Sequence, residues 1–351
     1  MMRSATFLGL LAIGFVLSPG TPVDRAVRAE GAPQVTIRVA TMAPRTPRFA
    51  LEEKRANQDL AAATEGRVQF QTYYGGSAGD EQTVLRKIRA GQIDGAFLGV
   101  DVVSQFVRQA LVLMAPQTFR NYKQVDAVRK ELAPEFNDEA YKNGFHIIAW
   151  WDAGKVRIFS SHPIKSFDDL RRGRPWLYPS SPLLREFYKM IGVTGVPLDL
   201  PEVYGGLQTG MIDTVWISPI LATALRWTVK TQYVSARPVN IIQGAVVLSR
   251  KTYEKMTPTD QQAIDRLTRQ NSQKAQDRFR EDDEKAYTKI LQRGFTAVEF
   301  TNPDEWQKAG KQLRERMIGR IYDKALLARV EKIAAQYADQ PTDFLANSGA
   351  K

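Results

Sequence analysis

From Pro258 to Gly294 the chain contains no internal proline or glycine, and a stretch of that length without a breaker leaves few folds open. Thr257-Pro258-Thr259-Asp260 opens it with an N-cap residue, a proline at the first helical position and an acid in the first turn. One helix of about 36 residues is expected, roughly 54 Å long at 1.5 Å per residue. Its apolar positions, Ile264, Leu267, Ala275, Phe279, Ala286, Ile290 and Leu291, form a sparse stripe on a charged rod. The heptad is too irregular for a free coiled coil. A stripe of this kind suits a helix laid across two bodies.

The rest of the chain supplies those bodies. Val35–Thr41 alternates like a strand, Thr46-Pro47 opens a helix to about Ala63, Val68–Tyr74 is a second strand, Asp80–Ala90 a helix and Ile93–Leu98 a third strand. The rhythm returns after Gly144 with strands at Phe145–Trp150, Val156–Ser160, Trp176–Tyr178 and Ile212–Ile217 and a helix over Pro182–Ile191. Asn302-Pro303 starts a further helix and Ala325–Tyr337 a last one. Strands alternating with helices predict parallel α/β units, and about 320 residues exceed what one core usually covers. The fold class expected is α/β, two-lobed, with a long helix bridging both lobes.

The first thirty residues read differently. Arg3, an apolar run over Ala5–Leu17 and the small-residue pattern Val27-Arg28-Ala29 fit a secretory signal peptide cleaved near Ala29. The run is shorter than the ~20 residues of a bilayer span, so an exported, periplasmic protein is expected. Removing Arg3, Asp24, Arg25 and Arg28 subtracts three bases and one acid, lowering the formal charge from +11 to +9. Basic and acidic residues are interspersed, which with export argues against a nucleic-acid partner. The chain has no cysteine, hence no disulfide.

Catalytic patterns are missing. The two histidines, His146 and His162, form no metal-ligand spacing, and neither a GxSxG elbow nor a phosphate-binding loop is present. Gly75, Gly76 and Gly79 read as a tight turn, and Asp168-Asp169 as capping acids. No catalytic residue, metal or cofactor is expected.

Two blocks carry a resemblance. YYGGSAGDEQTVLRKIRAGQID, Tyr73–Asp94, and the later set Asp169, Leu170, Gly173, Glu202, Val203, Tyr204, Leu207, Gln208, Thr209, Gly210 and Asp213 resemble the signatures of DctP-type periplasmic solute-binding proteins of TRAP transporters. The likeness runs from about Val35 to about Tyr337. It implies capture of a small solute by lobe closure and delivery to small and large membrane subunits, and some members are paired with periplasmic helical-repeat proteins. The expected division is a signal peptide at 1–29, lobe I at 30–153 with about 242–270, lobe II at 154–241 with about 271–345, and a tail at 346–351. Hinges are expected near Ala153–Val156 and Ile241–Gly244.

In α/β proteins ligands sit beyond the carboxyl ends of strands. That rule selects Met42, Asp101, Trp151, Asp152, Tyr178, Trp216, Ile217 and Ser218, to which Trp176 and Leu177 on the expected ligand strand are added. Family members that carry organic acids place an arginine on that strand, where its fork binds a carboxylate. Counting back from Glu202 puts Leu177 at the position. Arg157, or alternatively Lys155, matches the family's second cleft arginine. The expected solute is therefore apolar or aromatic: either an acid held by Arg157 alone or an uncharged compound. A ligand-dependent sensor or scaffold binding another periplasmic protein is the alternative from a different class.

Overall fold

The computed structural model describes residues 34–338; the signal segment at 1–29 and the tail at 346–351 lie outside them. Strand β1 (Val35–Ala40) leads to α1 (Pro47–Thr64), β2 (Val68–Tyr73), α2 (Glu81–Arg89), β3 (Gly95–Gly99), α3 (Val100–Val103) and α4 (Tyr122–Lys142). Next come β4 (Phe145–Ser160), α5 (Phe167–Arg172), β5 (Trp176–Leu177), α6 (Pro182–Ile191), β6 (Val196–Pro197), α7 (Val203–Thr209), β7 (Thr214–Ile217) and α8 (Pro219–Ala224). The chain continues through β8 (Tyr233–Ser235), β9 (Asn240–Ser249), α9 (Arg250–Tyr253), α10 (Pro258–Gln292), β10 (Thr296–Val298), α11 (Pro303–Arg316) and α12 (Lys324–Ala335).

Lobe I is built on β4-β9-β3-β1-β2, in which β1 pairs in parallel with β2 and β3 while β9 runs antiparallel to both β3 and β4. One face buries Val84, Leu85, Val102, Val125 and Leu132 against Ala96, Leu98, Ala245 and Val247. The other buries Leu60 of α1 and Ile264 of α10 against Ile37, Val39, Val246 and Leu248. Lobe II gathers Phe159, Trp176, Leu207, Val215, Trp227 and Val234 around β4, β7 and β8.

The expected pair of strands at Phe145–Trp150 and Val156–Ser160 is one 16-residue strand. It crosses between the lobes, pairing first with β9 and then with β7 and β8. Pairing survives the polar Trp151–Lys155 stretch because the strand takes a bulge between Asp152 and Lys155, with Gly154 at φ 89. Helix α4 and strand β9 had no counterpart in the sequence expectation, and antiparallel β9 makes the sheet mixed rather than parallel. Of the Asp168-Asp169 pair, Asp169 caps, closing a capping box with Ser166 at α5, while Asp168 is exposed and pairs with Arg171.

Helix α10 spans 35 residues and joins the two lobes. Ile264 sits in the lobe I core and Ile290 in that of lobe II. Between them its inward face is polar, with Gln276, Arg280 and Asp283 spaced at i, i+4 and i+7. Gln276 brackets the Asp152 backbone, its Oε1 accepting from Asp152 N at 2.8 Å and its Nε2 donating to Asp152 O at 2.9 Å. Arg280 donates to Asp152 Oδ2 at 2.6 Å and to Asp126 Oδ1 at 2.6 Å, and Arg129 donates to Asp152 Oδ2 at 3.0 Å. Burial would push Asp126 up, but the hydrogen bonds and charges of Arg280 and Arg129 hold it below the usual carboxylate range. Asp283 accepts from Lys155 N at 2.9 Å and from Ile220 N at 3.0 Å, tying the bulge to α8.

Two outcomes follow from this fastening. A Cβ on Gly154 would lie 2.5 Å from the Asp283 carboxyl carbon, so Gly154→Ala is expected to lose about 2–4 kcal/mol of stability in urea denaturation. Asp152→Ala removes the fully buried carboxylate shared by Arg129 and Arg280, leaving both on the half-exposed Asp126 alone, and is expected to cost about 3–5 kcal/mol by the same measurement.

Candidate functional site

The cleft edge of lobe I is set by a row of paired residues across three strands, Trp151, Gly244 and Gly99. A Cβ on Gly244 would meet Trp151 Cζ2 at 2.2 Å, so the indole lies over this glycine. One strand further, a Cβ on Gly99 would meet Glu81 Oε2 at 3.5 Å. Directly opposed residues of a ladder share a face, so indole and carboxylate occupy the same side of the sheet. Asp80 caps α2 by accepting from Thr83 N, which directs Glu81 at the strand end.

Glu81 joins the lobes. Its Oε1 accepts from Gly99 N at 3.1 Å and its Oε2 accepts the Tyr178 hydroxyl of lobe II at 2.9 Å. Gln82 donates to Ser180 Oγ at 2.8 Å beside this contact. Met42 rests on Gly76, and Pro201 of lobe II approaches the same glycine. Burial pushes the Glu81 carboxyl up against the opposing hydrogen bonds of Gly99 and Tyr178. Asp101, at the start of α3, is pushed up to about 7, chiefly by burial and further by the Glu81 charge, while a Ser181 hydrogen bond opposes the rise.

The expected site residues thus divide. Asp101 and Tyr178 come together with Glu81, Trp151 lies over Gly244 one strand away, and Met42 and Pro201 of lobe II both lie at Gly76. Asp152 does not face a solute: its side chain has no exposed surface and is taken up by Arg280, Arg129 and Gln276. Arg157 is likewise engaged elsewhere, donating to the Ser235 and Ala236 carbonyls and lying 3.7 Å over the Tyr287 ring. Lys155 pairs with Glu284 at 2.6 Å. Trp176 and Ile217 belong to the lobe II core, the former donating Nε1 to Leu198 O at 2.7 Å. Leu177 packs beside Tyr188 and Gly195 on β5. Trp216 lies among Phe187, Tyr188 and Trp306, and Ser218 precedes α8 with its side chain uninvolved in capping.

Four buried polar atoms at the expected positions have no hydrogen-bond partner: Asp101 Oδ1, Trp151 Nε1, Trp216 Nε1 and Ser218 Oγ. Trp216 Nε1 lies near the Tyr188 hydroxyl without hydrogen-bonding geometry to it. Native structures leave few such groups unpaired, and a bound solute is one way to satisfy them. Surface concavities of about 580 and 370 Å³ lie elsewhere, beside Arg108 and Glu139 and beside Lys308 and Arg314. Among the described residues no cluster of His, Cys, Asp or Glu could hold a metal ion.

Glu81 was missed as a site residue. An acid in the first turn of a helix ordinarily complements the helix dipole, and only its burial to 8 % exposure separates it from that role. Its place after a glycine turn that closes a strand was the available signal.

Two α/β lobes joined by a crossing strand and a strut helix, with unpaired polar atoms near strand ends, are the architecture of a two-lobed solute receptor. The chain belongs to the bacterial extracellular solute-binding proteins of family 7, DctP, which match residues 40–320. The family is a solute-binding component of TRAP transport and not an enzyme. A solute-binding protein of Chromohalobacter salexigens is 23 % identical over 256 residues, 71 % of this chain and 75 % of the relative. Among solved structures, a TRAP periplasmic solute-binding protein of Roseobacter denitrificans with bound L-galactonate superposes with a TM-score of 0.77 at 19 % identity, covering 86 % of this chain and 99 % of the other. One from Chromohalobacter salexigens with bound D-glucuronate gives 0.78 at 19 % identity, covering 85 % and 99 %.

The sign of the pH effect follows from Asp101. Its folded carboxyl holds a proton up to about 7 while the unfolded one releases it near 4. The folded state therefore binds more protons in that window and stability falls as pH rises through it. Asp101→Asn is expected to flatten this slope between pH 4 and 7 and to gain about 1–3 kcal/mol over the parent at pH 8, read by urea denaturation without solute.

Proposed function

We propose that this protein is the solute-binding subunit of a TRAP-type secondary transporter. It is exported with residues 1–29 removed near Ala29, captures a small organic solute by lobe closure, and presents the closed form to membrane subunits. The lobes divide near residue 153 on β4 and near 242 on β9, and α10 passes from one to the other at about 270. The observation that carries the reading is the set of unpaired buried atoms on Asp101, Trp151, Trp216 and Ser218, each at or just beyond the end or crossing point of a strand. The bulge at Asp152–Lys155, facing Ile241–Gln243 on β9, supports the hinge. Closure is driven by the solute's higher affinity for the closed form.

Leu177 stands where acid-carrying relatives place an arginine, and Arg157 is held by backbone carbonyls, so neither supplies a free guanidinium fork to a carboxylate. The solute proposed here therefore presents apolar or aromatic surface to the tryptophans and needs no carboxylate anchor. The relatives with bound galactonate and glucuronate mark the competing outcome.

The test begins with protein from a periplasmic extract, whose retained solute is released by denaturation and identified by mass spectrometry. X-ray scattering is expected to show compaction when that solute is returned to the emptied protein. Trp216→Ala is expected to weaken its binding about tenfold or more, whereas Lys274→Ala on the exposed face of α10 leaves it unchanged. Equal affinities would sink the placement of the cleft.

A further inference from the structure

The contact between the lobes has an unusual charge composition. Glu81 accepts from the amide of Gly99, two residues before Asp101, its charge raises Asp101, and neither acid forms a salt bridge among the described residues. What faces them across the cleft is neutral: the Tyr178 hydroxyl on Glu81 and the Ser181 hydroxyl on Asp101. The chain as a whole is strongly basic, so leaving two interior acids without a cation is not a matter of composition. Such acids are ordinarily paired, because desolvation of a lone carboxylate is costly.

Two independent features adjoin the acids. The Trp151 indole lies over Gly244, one strand from the Glu81 carboxylate, and its Nε1 is buried without a partner. On the same face of β3, two residues before the Gly99 amide that Glu81 accepts from, Phe97 is 40 % exposed in the middle of a sheet, which leaves an aromatic ring uncovered along that strand. Aromatic faces and carboxylates together stabilise a positively charged nitrogen: the acids supply charge-assisted hydrogen bonds, and the ring quadrupole attracts the cation.

Building on the solute-capture reading above, we infer that the captured solute carries a cationic nitrogen, bound between Glu81 and Asp101 with its carbon skeleton against Trp151 and Phe97, and that this chain selects against acids. An acceptor on the solute, a hydroxyl or carbonyl oxygen, then takes the Trp151 Nε1 proton. Leu177 fits the inference, since an arginine on that strand would place a competing cation one residue from Tyr178.

The test uses the mature protein, unfolded to release bound solute and refolded, in thermal-shift and calorimetric titrations with matched probes. The probes are glucosamine, glucose and glucuronate; phenethylamine, phenethyl alcohol and phenylacetate; and choline and putrescine. Stabilisation confined to the amines is expected. For the best amine, Glu81→Gln and Asp101→Asn are each expected to raise Kd about tenfold or more, while Lys274→Ala does not. Stabilisation by a carboxylic acid or neutral member in preference to its amine, or by no amine, overturns the inference. So does retention of amine affinity in both variants with folding verified by circular dichroism. X-ray scattering on any probe that binds separates the two readings: a probe of any charge that compacts the protein leaves lobe capture standing, and one that binds without compaction counts against lobe capture alone.

Discussion

The carboxylate of Asp152 lies in the middle of the longest strand with no exposed side-chain surface, and the arrangement of the two lobes depends on how it is satisfied. Arg129 comes from α4, Arg280 and Gln276 from α10, and the strand itself continues from lobe I into lobe II. A buried charge tolerates no missing partner, so the strand, α4 and α10 are fixed to one another in a single geometry. Directional bonds place a bulge more sharply than apolar packing does. Three residues on, Asp283 takes two backbone amides across Gly154, where there is no room for a Cβ.

The fastening also explains why α10 is so charged. A helix that buried one apolar stripe along its length would weld both lobes into one core. Here the apolar contacts are confined to its ends, Ile264 in one lobe and Ile290 in the other, with the polar set between them opposite the bulge. Bending about the bulge would then leave the two cores intact. The cleft that such bending opens is closed by Tyr178 reaching Glu81, a neutral donor meeting an acid. At that contact Glu81 comes from α2 and Asp101 from α3, both in lobe I, and what meets Glu81 from lobe II is a neutral hydroxyl.

Much of the frame was legible in the residues. The proline-to-glycine interval of α10, the Asn302-Pro303 start of α11, the two signature blocks and the alternation of strand and helix all rest on local periodicity and capping, which need no knowledge of neighbours. The bulge between Asp152 and Lys155 overlaps the Ala153–Val156 stretch in which a hinge was expected. Helix α4 and strand β9 were not legible. Pro134 interrupts the pattern of the first, and the second, an apolar run with a glycine, takes its identity from the two strands it lies between. Asp152 and Arg157 show the same limit at the level of side chains. Both sit near the lobe crossing in sequence, as site residues would, yet each finds partners from segments 23 to 128 residues away that turn it to structural use.

The sequence by itself determined the class of protein, the two-lobed α/β plan and the bridging helix, because periodicity, capping and motif spacing act within a few turns of chain. Only the tertiary structure decided which polar groups are spent on holding the fold and which are left without a charged partner. That distinction depends on burial and on partners distant in sequence. The Asp152 carboxylate, set between two arginines, is a strut, whereas Glu81 meets only a backbone amide and a tyrosine hydroxyl.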